Sequence, residues 1–266
     1  MEFGLTPCPN DTYIFYKFIQ KPWISPIFLD VEELNQLALQ GNLPLVKVSC
    51  ATAVQLKEYV ILASGAAMGF GCGPLLVSNY DNSKNLTEKI KNSRILIPGK
   101  HTTANFLFAN FCSKNQIPTK DLKIEYVRYD QIIPSLIEFK SKNQNAMGIL
   151  IHEERFTYRN FNLNLEMELG SWWEMHTQLP IPLGCIVLHK DFWQDKVKIE
   201  EEIRESILYS KTHFQEVFPF IKNKAQTLSE EAILNHIHLY VNDFSLNIEE
   251  RGWIALDKMK QFIQTL

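Results

Sequence analysis

Apolar and polar positions follow two rhythms along this chain. Short, nearly continuous apolar runs recur as candidate strands at residues 2–6, 43–49, 74–78, 94–97, 122–129, 146–151 and 184–189. Several of the segments between them carry apolar residues every three or four positions, the period of a helix packed by one face. The first helix is expected over residues 12–19. The next opens on Asp30-x-x-Glu33, a capping-box pattern, and stops at Gly41. Pro98 and Gly99 turn the chain after the 94–97 strand, and Thr102 or Thr103 caps a helix running to about Cys112. The run AMGILI at 146–151 is apolar on both alternating faces, as expected of a strand covered by helices on either side. After residue 189 the pattern turns helical over 196–216, 230–241 and 248–265, the last started by Asn247-x-x-Glu250.

Strands alternating with helices predict an α/β fold with mostly parallel sheets. No internal repeat or low-complexity tract breaks the alternation. Such sheets bind ligands beyond the carboxyl ends of their strands, where helix N-termini converge. The strand ends here carry Asn10-Asp11-Thr12, Lys47-Val48-Ser49, His101-Thr102-Thr103 and His152-Glu153. These polar, small or titratable groups are the first functional signal, although any loop needs polar residues too.

Composition narrows the classes of partner. The 266 residues suffice for one large domain or two lobes, and 45% hydrophobic against 21% charged residues supports a packed core. A formal net charge of −3 argues against a nucleic-acid partner. No run of eighteen apolar residues is present to span a membrane. The opening MEFGLTPCPND has neither the basic region nor the apolar stretch of a secretory signal, which predicts a cytoplasmic protein. The five cysteines, Cys8, Cys50, Cys72, Cys112 and Cys185, are scattered and form no CxxC pair, so neither a disulfide framework nor a cysteine zinc site is favoured.

Three familiar signatures fail on inspection. GFGCGP at 69–74 leads into Pro74 and a strand where a dinucleotide fingerprint needs a helix. Gly99-Lys100 lacks the first glycine and the hydroxyl of a phosphate loop, because Arg94 and His101 stand there. His152-Glu153-Glu154-Arg155-Phe156 starts like a zinc-protease helix but has Phe156 in place of the second histidine. His236 and His238 lie two apart on a helix, hence on different faces, and read as a partly buried or exposed pair, not a metal site.

The surviving candidates each keep two readings. His152 follows a buried strand and suits a general base, since imidazole titrates near neutral pH; a structural histidine bonded to backbone fits the same place. Thr102 and Thr103 offer hydroxyls and free helix N–H groups to an anion, or simply cap the helix. Asp11 and Thr12 face the same choice. Cys8, just before a helix start, is a nucleophile if a base lies near, and a packing residue otherwise; the neighbouring sequence supplies no base. Trp172, Trp173 and the 180–184 turn wall a pocket or belong to the core.

Together TPCPNDTYIFY, DVEELNQLALQG, LPLVKVS, PGKHTTANFLF, VRYDQIIP, GILIHEERFTY, LGSWWEMHTQLPIPLG and HLYVNDFSL run in order along nearly the whole chain. In this combination the chain resembles the 1,4-dihydroxy-6-naphthoate synthase family of the futalosine route to menaquinone. The resemblance implies a two-lobed, type II periplasmic-binding-protein-like α/β fold with a ligand cleft between the lobes. Residues 1–79 and 188–266 would form one lobe and 80–187 the other, with crossings near 78–80 and 187–190. It also implies a carbon–carbon lyase step, in which cyclic dehypoxanthine futalosine yields 1,4-dihydroxy-6-naphthoate and dihydroxyacetone with no metal or other cofactor. His152 matches the family's proton acceptor. Lys47, Val48 and Ser49 match one substrate-contact segment, and Thr102, Thr103 and Ala104 another; Val46 stands where the family carries threonine, leaving no hydroxyl there. Asn10, Asp11 and Thr12 would form a further wall of the cleft. Two rivals share the fold: a solute-binding protein without chemistry, and the sister chorismate dehydratase.

Overall fold

The computed structural model describes residues 1–80, 85–225 and 229–264. Two sheets organise it. The first holds β1 (Glu2–Leu5), β2 (Ser25–Phe28), β3 (Leu45–Ser49), β4 (Tyr59–Ile61) and β5 (Ala67–Gly69). The second holds β6 (Leu75–Ser78), β7 (Arg94–Ile97), β8 (Lys123–Tyr126), β9 (Ala146–Leu150) and β10 (Asn164–Glu168). The chain then returns to the first sheet as β11 (Ile181–His189), giving the order β2-β1-β3-β11-β4 with β5 also on β11, against β10-β6-β9-β7-β8 in the second. The α/β expectation is met.

The sheets are mixed, not mostly parallel. β1 runs parallel to β2 and β3, and β7 to β8 and β9. β11 opposes β3, β4 and β5, and β6 opposes β9 and β10. The cause is topological. β6 and β11 are the strands by which the chain enters a sheet from the other, and each enters in reverse. Sheet membership thus changes between Gly69 and Leu75 and again between Glu168 and Ile181, earlier than the crossings expected near 78–80 and 187–190.

Local chemistry explains most elements. Asp30 accepts from the Glu32 N–H at 2.9 Å while Glu33 accepts from the Asp30 N–H at 3.0 Å, the reciprocal cap that starts the Val31–Leu39 helix. Thr102 is the cap of the Thr103–Lys114 helix, its hydroxyl accepting from Asn105 N–H at 3.2 Å. The first helix is Pro9–Ile14, earlier and shorter than the expected 12–19, because Pro9 opens it with a pre-set φ and no N–H to satisfy. The expected 196–216 helix is two, Lys196–Thr212 and Phe214–Ala225. The break at His213 turns the second so that Val217 and Ile221 reach the core under β1. Asn247 ends the short Asp243–Leu246 helix, and the following Glu250–Ile263 helix has Glu249, without a side-chain bond, at its cap position.

The core runs on both faces of the first sheet. Phe3, Phe15 and Phe18 are fully buried and meet edge to face or tilted, with Phe3 at 5.0 and 5.5 Å from the other two rings. Each such burial contributes about 1.5–3 kcal/mol. Trp172 and Trp173 are buried in the core joining the two sheets, which decides between the two readings of that pair. Among the described residues no helix is long and apolar enough to cross a membrane.

Candidate active site

β9 ends at Leu150, and His152 follows with a φ of 53°. Few non-glycine residues adopt this left-handed conformation, and it persists where surroundings impose it. Here three residues surround the ring. Nδ1 lies 3.6 Å from Cys8 Sγ, Tyr129 presses edge-on with ring centroids 4.9 Å apart, and His236 lies nearly parallel at 6.2 Å. Glu153 turns elsewhere and accepts a bond from the Tyr129 hydroxyl at 3.3 Å.

The two histidines near each other in sequence part company. His238 is exposed, whereas His236 is wholly buried with neither ring nitrogen hydrogen-bonded. Burial, followed by repulsion from His152 and Arg155, holds His236 well below the usual histidine range, so it is neutral at physiological pH. The expected partly buried or exposed pair is corrected for His236, because its helix, Glu230–Tyr240, packs that face behind the site.

Cys8 changes meaning as well. Its neighbours in sequence offer no base, yet the fold brings His152 to it across 144 residues. Burial first, then the Glu153 and Asp11 carboxylates, push its thiol well above the ordinary range. A thiol so protonated is a poor nucleophile.

Beside it, Lys47 and Asp11 are buried together, Nζ to Oδ1 at 3.0 Å. Lys47 also donates to the Gly65 carbonyl at 3.0 Å. Asp11 accepts from the Thr6 hydroxyl at 2.7 Å, the Thr6 N–H at 3.2 Å and Asn10 Nδ2 at 2.9 Å. Ser49 is tied to Asn35 through both its N–H and its hydroxyl. The Thr102 hydroxyl donates to Gly99 O and that of Thr103 to Leu183 O, each at 3.0 Å. Both hydroxyls are thus committed and Thr102 also holds the Asn105 N–H, so what the helix start offers an anion is the N–H groups of Thr103 and Ala104.

An inner cavity of about 670 Å³ of empty space gathers these groups. Asn10, Asp11, Lys47, Val48 and Ser49 line one side; Thr102, Thr103, Ala104 and His152 line another. Of the site residues the family resemblance implies, Thr12 does not line this cavity: it is fully buried, and its hydroxyl bends back to the Cys8 carbonyl at 3.0 Å. The remaining wall includes Leu183, from the 180–184 turn offered above as a pocket wall, with Cys72 and Tyr240, which the first crossing and the C-terminal helices deliver. An outer, more charged cavity of about 1280 Å³ lies beyond, lined by Arg128, Tyr129, Asp130, Glu153 and Lys224 among others. His152, Thr6 and Val31 border both.

The sequence profile of menaquinone biosynthesis matches residues 1–265. The chain belongs to this menaquinone biosynthesis family. A relative from Thermus thermophilus, named 1,4-dihydroxy-6-naphtoate synthase, is 38% identical over 97% of this chain and 92% of its own length. A crystal structure from Archaeoglobus fulgidus superposes with a TM-score of 0.85 at 26% identity, covering 99% of this chain and 96% of the other. The periplasmic aliphatic sulphonate binding protein of Escherichia coli matches at a TM-score of 0.67 and 6% identity, over 100% of this chain and 86% of its own. That likeness shows the fold alone: the menaquinone biosynthesis family member has a periplasmic-binding-protein-like architecture.

Proposed function

We propose that this protein is a cytoplasmic, cofactor-independent carbon–carbon lyase of the futalosine pathway. It splits cyclic dehypoxanthine futalosine into 1,4-dihydroxy-6-naphthoate and dihydroxyacetone, with His152 as the general base. The observation that carries the reading is the position of His152, held in a left-handed backbone where the inner and outer cavities meet. The name of the Thermus relative supports the product.

The residues support a sequence of steps. The inner cavity, walled by Val48, Ala104, Ile151 and Leu183, takes the fused rings, and the N–H groups at the start of the Thr103–Lys114 helix receive the carboxylate. His152 removes a proton from a sugar-derived hydroxyl. The carbon–carbon bond then breaks in a retro-aldol sense, and formation of the aromatic naphthoquinol drives the scission. One lobe carries each sheet, and their closure over the ligand excludes water.

His152→Asn tests the reading. Turnover of cyclic dehypoxanthine futalosine, followed by naphthoate absorbance, should fall by roughly 10²–10⁴, while substrate binding by calorimetry persists. Near-normal turnover by the variant would sink the assignment of His152. Binding without turnover by the parent would favour a solute-binding protein, and loss of water from chorismate would favour the sister dehydratase.

A further inference from the structure

We infer that Glu32 is a positioning residue for substrate binding. It clamps the loop at 99–103, which follows β7 of the second sheet, onto the side of the first sheet, and so fixes the Thr103 and Ala104 N–H groups beside the inner cavity. The inference rests on the proposed seat of the substrate carboxylate at those groups.

Asp30 and Glu33 complete the cap of the Val31–Leu39 helix, so the Glu32 side chain is not needed there. Both of its oxygens reach His101 instead. Oε2 accepts the His101 backbone N–H at 2.9 Å, and Oε1 lies 2.7 Å from the ring Nδ1. Gln36, one turn on, steadies the carboxylate by donating to Oε1 at 3.4 Å. Gly99 makes the approach possible. Its φ is 110°, and a Cβ there would meet Glu32 Oε2 at 2.5 Å and Glu32 Cδ at 2.8 Å.

Three residues along the same helix, and so on the same face, Asn35 is fully buried and holds both walls of the cavity. Its Oδ1 accepts the Ser49 N–H at 2.8 Å, while Nδ2 donates to Ser49 Oγ at 3.0 Å and to the His101 carbonyl at 3.3 Å. That carbonyl also accepts from the Thr52 hydroxyl at 2.7 Å, and Thr103 Oγ1 accepts the Ala51 N–H at 3.2 Å. Every one of these partners lies on the Val31–Leu39 helix, on β3 or on the short Cys50–Ala53 helix after it. Thr102 and Thr103 follow His101 directly, so the place where Glu32 holds the loop decides where the helix N–H groups begin. Glu32 and Asn35 do not line the inner cavity and act through this loop.

The test compares 2-naphthoate with its neutral isostere 2-naphthamide, titrated calorimetrically into the whole protein at neutral pH. Wild type should bind the carboxylate more tightly than the amide. Glu32→Ala, and Glu32→Asp, which keeps the charge but loses reach, should each lower that ratio about tenfold, the worth of one hydrogen bond to a charged group. Their affinity for 2-naphthamide should stay at the wild-type value, a split that a general loss of structure would not give. Glu32→Gln still offers an acceptor to the His101 N–H and should keep the ratio. A Glu32 acting only through its charge predicts the opposite sign, because removing a carboxylate near an anion raises the ratio in both neutral variants. An unchanged or raised ratio in Glu32→Ala, an equal loss of both ligands, or no preference in wild type overturns the inference. Should Glu32→Ala fail to fold, Glu32→Asp decides by the same criteria. If wild type prefers the carboxylate but does not turn over cyclic dehypoxanthine futalosine, the proposed reaction falls and the clamp is still decided by the ratios.

Discussion

Lys47 and Asp11 show how a residue's partners redefine it. Their side chains are 5% and 1% exposed and are spent largely on each other, Thr6 and the Gly65 carbonyl. Both border the inner cavity, so they shape it while being electrostatically satisfied without a ligand. Removing one partner leaves a buried charge alone. Lys47→Met should therefore cost about 3–5 kcal/mol in urea unfolding, and adding Asp11→Asn should recover part of that loss. A single-variant loss within error of zero would show that water or rearrangement compensates Asp11. The identities of Lys47 and Asp11 were readable as strand-end polar residues, but their pairing was not. It joins the Pro9–Ile14 helix to β3, and strand registry sets that contact.

At the scale of elements, the two passages between sheets touch through a pair of glycines. A Cβ on Gly73 would meet the Gly170 Cα at 2.2 Å, and one on Gly170 would meet the Gly73 Cα at 2.6 Å. Gly73 lies between β5 and β6, and Gly170 in the Leu169–Thr177 helix between β10 and β11. Backbone has nowhere to retreat as a side chain would. Gly73→Ala should destabilise by about 1–3 kcal/mol, the range of overpacking; a chemical-denaturation midpoint equal to wild type would show the passages part freely. β7 was legible to the residue, because an apolar run bounded by Ser93 and Pro98 has one reading. β2, β4, β5 and β10 were not. β4 and β5 are three residues each, too short for an alternation, and β10 is a half-exposed edge strand with little apolar pattern to find.

Across the whole molecule, Glu154 makes stability depend on pH. Burial, reinforced by Glu153 and Asp130, raises its carboxyl from 4.5 to about 9. The fold thus holds a proton that the unfolded chain releases. The associated stability is fully present below about pH 4.5 and is lost as pH rises towards about 9. Glu154→Gln removes the titration. The variant should melt higher than wild type at mildly alkaline pH, with the difference closing towards the ordinary carboxylate range. Parallel melting-temperature profiles for the two proteins would contradict a buried neutral Glu154.

The alternation of apolar runs and amphipathic segments determined that this chain is α/β, and the caps at Asp30 and Thr102 were written locally because a cap needs only residues three or four apart. The ordered motifs carried the family. The tertiary structure decided the reversed entry of β6 and β11, the pairing of Lys47 with Asp11, and the burial of His236 behind His152. Above all it brought Cys8 to His152. No local pattern encodes that contact: the two residues occupy turns on different sheets, and only the packing of one sheet against the other makes them neighbours.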